Sequence, residues 1–347
     1  MLNIASGKIA ILMATYNGEK YLRQQVESII SQTEQEFVLV IHDDGSTDGT
    51  EAIINELAAT YGEGQLMVLD GPSTGSAKAN FLWMLAQVVA DYYMFADQDD
   101  VWDENKIEKS KLKYCDMSTK CEISLNDKND NHIFSHNYNC IFTDMAVVDE
   151  DLNQIYPSFI KSIDRDINHT LPGQLIIDNM AAGCTMFFGK DLRDVIVDNM
   201  ENVDLSKVEM HDRLIITVAA VLGKVVGIDE PLSLYRQHDN NEMGAVHESV
   251  LDKVVRNVRG RVTGEIHKGH KEFIAQAQGF AGEIYKICSK AIEEGRADIS
   301  IVDIRWIQEY SQLEDRNLSA KAKEDFYRIN HLERATEQAT RRMYKWI

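Results

Sequence analysis

FVLVIHDDGSTDGT, residues 37–50, is the stretch on which the fold turns. An apolar run over residues 37–42 breaks at once into Asp43-Asp44-Gly45-Ser46-Thr47-Asp48-Gly49, and a helical pattern follows over residues 50–61. A short run with no polar alternation reads as a strand covered on both faces. The same pattern surrounds it. KIAILMAT (8–15) ends at Tyr16-Asn17-Gly18 and leads into a helix over 19–31, with Leu22, Val26, Ile29 and Ile30 at helical spacing. QLMVL (65–69) leads into a helix over 76–90, and YYMFA (92–96) ends at Asp97-Gln98-Asp99-Asp100. Strands alternating with helices predict an α/β fold, with a mostly parallel central sheet flanked by helices and right-handed crossovers. Ligands of such sheets bind at the carboxyl ends of the strands. All four polar loops fall on that edge.

Beyond residue 100 the pattern loosens. Residues 115–140 are polar and irregular and read as a loop or insertion. Strands are expected over 140–148, 182–188 (AGCTMFF) and 224–228, with a helix over 208–222. From about Asn241 there is no Pro, the charge is balanced and helical periodicity dominates, for example over 301–315 with Val302, Trp306, Tyr310 and Leu313 on one side. This divides the chain into a nucleotide-binding and catalytic domain over 1–240 and a helical C-terminal region over 241–347.

Composition narrows the function. The net charge of −20 is uneven: residues 1–240 carry 18 Lys/Arg against 39 Asp/Glu, and residues 241–347 carry 18 against 17. Nucleic acid is therefore not an expected partner of the first part, because phosphate binding needs a basic surface. Five Cys without CxxC spacing fit reduced thiols in a cytoplasmic protein better than a disulfide scaffold or a zinc site. The N-terminus lacks a secretory signal, and the apolar stretch 214–228 is interrupted by Lys224 and too short to span a bilayer.

Two acidic loops carry candidate chemistry. Three carboxylates in Asp97-Gln98-Asp99-Asp100 repel one another unless a cation compensates, so the loop is either a metal site or a solvated turn. The 43–49 loop is a helix-capping turn or an acceptor for a base N–H or a ribose hydroxyl. Neither GxGxxG nor GxxxxGK[ST] is present, so a dinucleotide fold and a P-loop are both unsupported.

Taken in order, ATYNG (14–18), VIHDDGSTDGT (40–50), GPSTGSAKAN (71–80), FADQDDVW (95–102), AGCTMFF (182–188), MHDRL (210–214) and YRQH (235–238) resemble the family 2 glycosyltransferases of the GT-A fold. The likeness covers roughly residues 8–240. DQDDVW, the His-Asp pair and YRQHDNN look most like the bacterial rhamnosyltransferase-like subgroup. The resemblance implies a GT-A-type, Rossmann-like domain and inverting transfer from a nucleotide diphosphate sugar to a saccharide or lipid-linked saccharide in cell-surface polysaccharide synthesis. L-Rhamnose from dTDP-rhamnose is the implied donor. A UDP-hexose-dependent enzyme of the same fold and a non-catalytic carbohydrate-binding subunit are the alternatives.

Residue by residue, the match implies that Thr15, Tyr16 and Asp43 hold the nucleoside, with Asp43 on the base. Lys78, where the family usually has Arg, would neutralise phosphate. Asp97 would face ribose and metal, Asp99 would ligate a divalent cation, Mg²⁺ or Mn²⁺, and His238 would contact metal or diphosphate. Asp212 would be the catalytic base, although spacing alone reads it as a carboxylate complementing a helix dipole. Residues 253–271 carry six Lys/Arg and one Glu, and the chain ends RRMYKWI. Charged helices are usually just solvated; the other reading is peripheral contact with the inner face of the cell membrane.

Overall fold

The computed structural model describes residues 1–125, 136–238, 265–297, 303–313 and 318–332. Its strands are β1 (Leu2–Asn3), β2 (Ile9–Thr15), β3 (Phe37–Asp43), β4 (Leu66–Val68), β5 (Val88–Val89), β6 (Tyr92–Ala96), β7 (Val101–Trp102), β8 (Cys140–Val148), β9 (Gln154–Tyr156), β10 (Met186–Gly189) and β11 (Val225–Arg236). Its helices are α1 (Leu22–Ile30), α2 (Thr50–Tyr61), α3 (Ala77–Gln87), α4 (Lys106–Leu125), α5 (Phe159–Ser162), α6 (Pro172–Ile177), α7 (Lys190–Val197), α8 (His211–Leu222), α9 (Glu265–Glu293), α10 (Arg305–Ser311) and α11 (Ala320–Ile329).

The main sheet runs β4-β3-β2-β6-β10-β8-β11-β7, with β9 beside β8. The four strands read from the repeating pattern are mutually parallel. The second half is mixed, because β10 enters antiparallel between β6 and β8 and β7 runs antiparallel to β11. This is the α/β architecture expected of a GT-A-type domain.

Continuous apolar strands follow from two covered faces. Along β2, β3 and β6, Ala10, Leu12, Val38, Val40, Tyr93 and Phe95 point to one core. Ile9, Ile11, Met13, Phe37, Leu39, Ile41, Met94 and Ala96 point to the other. The period of two thus sends neighbours to opposite layers. Helices α1, α2 and α4 cover the second face, while α3, α6, α7 and α8 cover the first. The helices after residue 240 join the first core through Phe280, Ile284, Ile307, Tyr310 and Tyr327.

Three local expectations are corrected. Residues 106–125, half of which read as irregular, form α4, because Ile107, Ser110 and Tyr114 fall at helical spacing on its buried side. Within AGCTMFF, Gly183–Thr185 forms a 3₁₀ turn and only Met186 onward is strand. A Cβ on Gly183 would lie 2.6 Å from His211 Nε2, so the tight approach needs glycine. The last strand runs on to Arg236, well past residue 228. Among the described residues no helix is long and apolar enough to cross a membrane. Val302, residues 253–264 of the basic stretch and the terminal RRMYKWI lie outside the described residues.

Candidate active site

The loops at the carboxyl edge are stitched to one another by side chains bonding to backbone. After β2, Asn17 adopts a left-handed φ of 49°, its N–H donates to Ser46 Oγ at 2.8 Å, and its Oδ1 accepts from Thr47 N–H at 2.8 Å. Gly18 N–H donates to Thr50 Oγ1 at 2.8 Å. The Asp43 carboxylate accepts from the Thr15 hydroxyl (2.8 Å), the Ser46 hydroxyl (2.6 Å) and the amides of Ser46 (2.8 Å) and Gly45 (3.2 Å). A carboxylate offers about four lone-pair sites, so Asp43 is saturated by its own turn and builds the loop. Asp44 accepts only the amides of Thr74 and Gly75, the latter at 2.9 Å, which draws in the loop before α3. Tyr16 stands over these loops with 57% of its surface exposed.

The Asp97–Asp100 segment is held mainly from α1. Gln25 Nε2 donates to the Asp97 carbonyl at 2.9 Å, Ser28 Oγ accepts from Trp102 N–H at 3.0 Å, and Gln32 bonds both Asp103 carbonyl and Ile107 N–H. Gln25 and Ser28 sit at i and i+3 on one face of α1, and Gln32 lies just past its end. Gln98 turns the other way and pairs both backbone groups of Tyr16, accepting from its N–H and donating to its carbonyl, each at 2.9 Å. Asp99 is gripped twice from the end of β11. Arg236 Nε donates to its carbonyl at 2.9 Å, and His238 Nε2 lies 2.8 Å from its Oδ2. Arg236 is 2% exposed, and its ring neighbour Tyr21 (4.5 Å) also faces His238 (5.0 Å).

Asp100 is fully buried, and among the described residues neither carboxylate oxygen has a hydrogen-bond partner. Burial, then the charges of Asp97 and Asp99, push its carboxyl well above the usual range. The buried Lys106 ammonium, donating to the Cys184 carbonyl at 2.7 Å and lying 4.1 Å over the Trp102 ring, opposes that rise. Burial brings Lys106 itself down to about 8. Ligand atoms of Asp97, Asp100 and Cys184 all lie within 4.8 Å of one another. An orphaned buried carboxylate beside two more acidic residues and an imidazole is a donor set that fits a divalent cation such as Mn²⁺ or Mg²⁺. Among the described residues the tightest such group is Asp97, Asp100 and Cys184, and the Asp99–His238 pair expected from sequence to join Asp97 at the metal lies alongside it.

Asp212 lies at the N-terminus of α8, half-buried, accepting from Arg213 N–H at 2.5 Å, with Asn179 Nδ2 at 3.4 Å. Burial pushes its carboxyl up to about 7, and the Asp97 charge contributes, so the two carboxylates feel each other across the cleft. His211 beside it is buried, stacked on Phe81 at 4.3 Å, and lowered to about 3 by burial, which keeps it neutral. Lys78 does not reach toward the Asp97–Asp100 loop. Its ammonium donates to the carbonyls of Leu205 (2.8 Å) and Val208 (2.7 Å), tying α3 to the segment that leads into Asp212. Other carboxylates nearby are occupied: Asp144 bonds Ser158 and the amides of Met145 and Ile160, and Glu209 pairs with Arg213 at 2.7 Å.

The sequence reading brought Thr15, Tyr16, Asp43, Asp97, Asp99 and His238 to one edge but missed the residues that hold them. Gln25, Ser28 and Gln32 fall at helical spacing in the sequence, a pattern that reads equally as a solvated face. Arg236 was detectable as the partner of His238 two positions on, since alternate residues of an extended chain share a face. Gln98 had no sequence signal of its own.

The glycosyl transferase family 2 model matches residues 10–171. The chain is 28% identical over 241 residues to the dTDP-rhamnosyl transferase RfbG of Shigella flexneri, covering 67% of this chain and 74% of that one. It is 31% identical over 102 residues to the putative glycosyltransferase EpsE of Bacillus subtilis, covering 29% of this chain and 36% of the relative. Staphylococcus aureus TarS 1–349 in complex with UDP superposes with a TM-score of 0.47 at 15% identity, over 88% of each chain. The acidic loops laced along one sheet edge fall within residues 10–171, the segment similar to the family 2 glycosyl transferases, and a dTDP-rhamnosyl transferase is among the chain's relatives.

Proposed function

We propose that the protein transfers a sugar, with inversion, from a nucleoside diphosphate onto a hydroxyl of a saccharide or lipid-linked saccharide, and that dTDP-rhamnose is its donor. One observation carries this reading: the Asp212 carboxyl at the N-terminus of α8 is raised to about 7, by burial first, with the Asp97 charge adding to the rise. A general base is most effective when its pKa lies near the working pH. In a single displacement Asp212 takes the acceptor hydroxyl proton as that oxygen bonds to the anomeric carbon, and the bond from that carbon to the diphosphate oxygen breaks. No covalent nucleophile is required, so one base suffices.

The other residues bind and orient. The exposed Tyr16 ring offers a face to the nucleoside. With Asp43 saturated, Asp44 keeps free lone pairs and is the better acceptor for a base N–H. Asp97, Asp99 and His238 would hold a divalent cation, with Asp100 behind them. Bound there, the cation would supply charge stabilisation to the leaving diphosphate. Lys78, turned to backbone carbonyls, organises the approach to Asp212 in this reading rather than neutralising phosphate. The 28% identity to RfbG supports the rhamnosyl donor.

The test is release of nucleoside diphosphate from dTDP-rhamnose and from UDP-hexoses, with Mn²⁺ or with EDTA, followed by the anomeric configuration of the product. Metal-dependent turnover of dTDP-rhamnose with inverted product is expected. Retained configuration, or full turnover in EDTA, would overturn the mechanism; turnover of a UDP-hexose alone would replace the donor. Peripheral attachment through residues 253–271 and the terminal RRMYKWI belongs to the same reading, motivated by their cations and interfacial aromatics. Failure to float with anionic liposomes at low salt would remove it.

A further inference from the structure

We propose that Gln98, the residue between the two donor-side aspartates, couples the nucleoside platform at Tyr16 to the metal-binding loop, so that cation and nucleotide bind cooperatively. The inference rests on the donor and metal reading above and deepens it.

The geometry begins where the sheet opens. Strands β2 and β6 pair in register as far as Met13 and Ala96, where their ladder ends. Two residues beyond Ala96 and three beyond Met13, the Gln98 side chain spans the gap. Its Oε1 accepts from Tyr16 N–H at 2.9 Å and its Nε2 donates to the Tyr16 carbonyl at 2.9 Å. A side-chain amide carries one acceptor and one donor in a fixed plane, so it reproduces the paired exchange of a sheet ladder after the backbones have separated. The partner loop is shaped for it. A Cβ on Gly18 would lie 2.3 Å from Gln98 Oε1, so glycine there leaves room for the amide.

The consequence follows from chain connectivity. Gln98 shares its backbone with Asp97 on one side and Asp99 on the other. Asp97 is fixed at its carbonyl by Gln25, and Asp99 at its carbonyl by Arg236. The carboxylates of these neighbours are the groups that shift when a cation draws them together, and Gln98 is the rigid link from that movement to the main chain of Tyr16. Coupling between two ligands is reciprocal. A nucleotide seated on Tyr16 therefore favours the same loop arrangement that the cation selects.

The experiment is calorimetric titration of dTDP, and separately UDP, into the wild-type protein and its variants, with and without Mn²⁺. The quantity read is the factor by which Mn²⁺ tightens nucleotide binding, about 5- to 150-fold for ordinary coupling. In Gln98→Ala this factor should fall by about fivefold or more, while metal-free nucleotide affinity falls much less. Gln98→Glu keeps the acceptor for Tyr16 N–H, loses the donor and adds charge beside Asp97 and Asp99, and should lose the coupling equally. Gly18→Ala displaces the amide from the other side and should do the same, which keeps the idea testable if Gln98→Ala misfolds. A role in scaffolding alone would weaken both affinities in proportion and leave the factor unchanged. An unchanged factor in Gln98→Ala or Gly18→Ala overturns the inference by itself. Absence of any Mn²⁺ effect on the wild type overturns the metal-dependent donor reading, and the coupling falls with it.

Discussion

Two demands meet in the Asp212 carboxyl. As a first-turn residue of α8 it is favoured as an anion by the helix dipole, yet burial lifts it from the ordinary 3.8 to about 7. The folded state then binds the proton more tightly than the unfolded chain. Stability from that proton is fully present below pH 3.8 and is lost as the pH rises through 7. Activity runs the opposite way, because the base works only as the anion: kcat/KM should climb with pH and level off above about 7. Asp212→Asn should lower transfer by about 10²-fold or more, leave nucleotide binding near wild type and flatten the melting temperature between pH 4 and 7 relative to wild type. Near-normal transfer by this variant would dismiss Asp212 as the base. Spacing alone favoured the helix-dipole role, since a carboxylate at a helix N-terminus carries no mark of a base, and only the family resemblance pointed to the base. Asp43 shows the converse, a residue whose type suggested base recognition but whose four acceptor sites the fold itself fills.

Helix α1 shows why elements were easier to read than the shells that support a site. Its apolar positions, Leu22, Val26 and Ile29, are buried and were legible by period. Its polar positions Gln25 and Ser28, and Gln32 just past its end, looked like a solvated face, because a helix pattern does not reveal that a loop will lie across it. That loop is the Asp97–Asp100 segment and its continuation, whose backbone groups would otherwise be buried without partners. Gln32, 2% exposed, serves both Asp103 carbonyl and Ile107 N–H. Gln32→Leu should keep burial while orphaning both groups, at a cost of about 1–3 kcal/mol in chemical denaturation. A change within about 0.5 kcal/mol would mean that the loop finds other partners. The strands were legible for the opposite reason: alternate residues feeding two cores leave an unbroken apolar run that little else produces.

For the molecule as a whole, we propose that the change of composition near residue 240 does not mark a boundary of folding. Phe280, Ala281, Ile284 and Ile287 of α9, Ile307 and Tyr310 of α10 and Tyr327 of α11 lie in the same apolar cluster as Leu175 of α6 and Leu214, Ile215 and Val218 of α8. The approach is close enough that a Cβ on Gly173 in α6 would lie 1.9 Å from the Asn330 carbonyl oxygen. Fully burying a side chain of this kind contributes about 1.5–3 kcal/mol, against a typical total stability of about 5–15 kcal/mol. Several such side chains removed together exceed the whole margin. A fragment of residues 1–240 should therefore give no cooperative thermal transition, whereas the full chain should unfold cooperatively. Gly173→Ala in the full chain should lower the melting temperature by forcing the end of α11 away from α6, without altering nucleotide affinity at the distant loops. The two measurements answer different objections. A fragment that melts cooperatively and binds dTDP with Mn²⁺ would make 1–240 an independent domain, and an unshifted Gly173→Ala would show that the last helix is not seated on α6. If both behave as expected, Asp212 sits on a helix whose far side is packed by the C-terminal region, and the position of the base depends on residues about a hundred positions downstream.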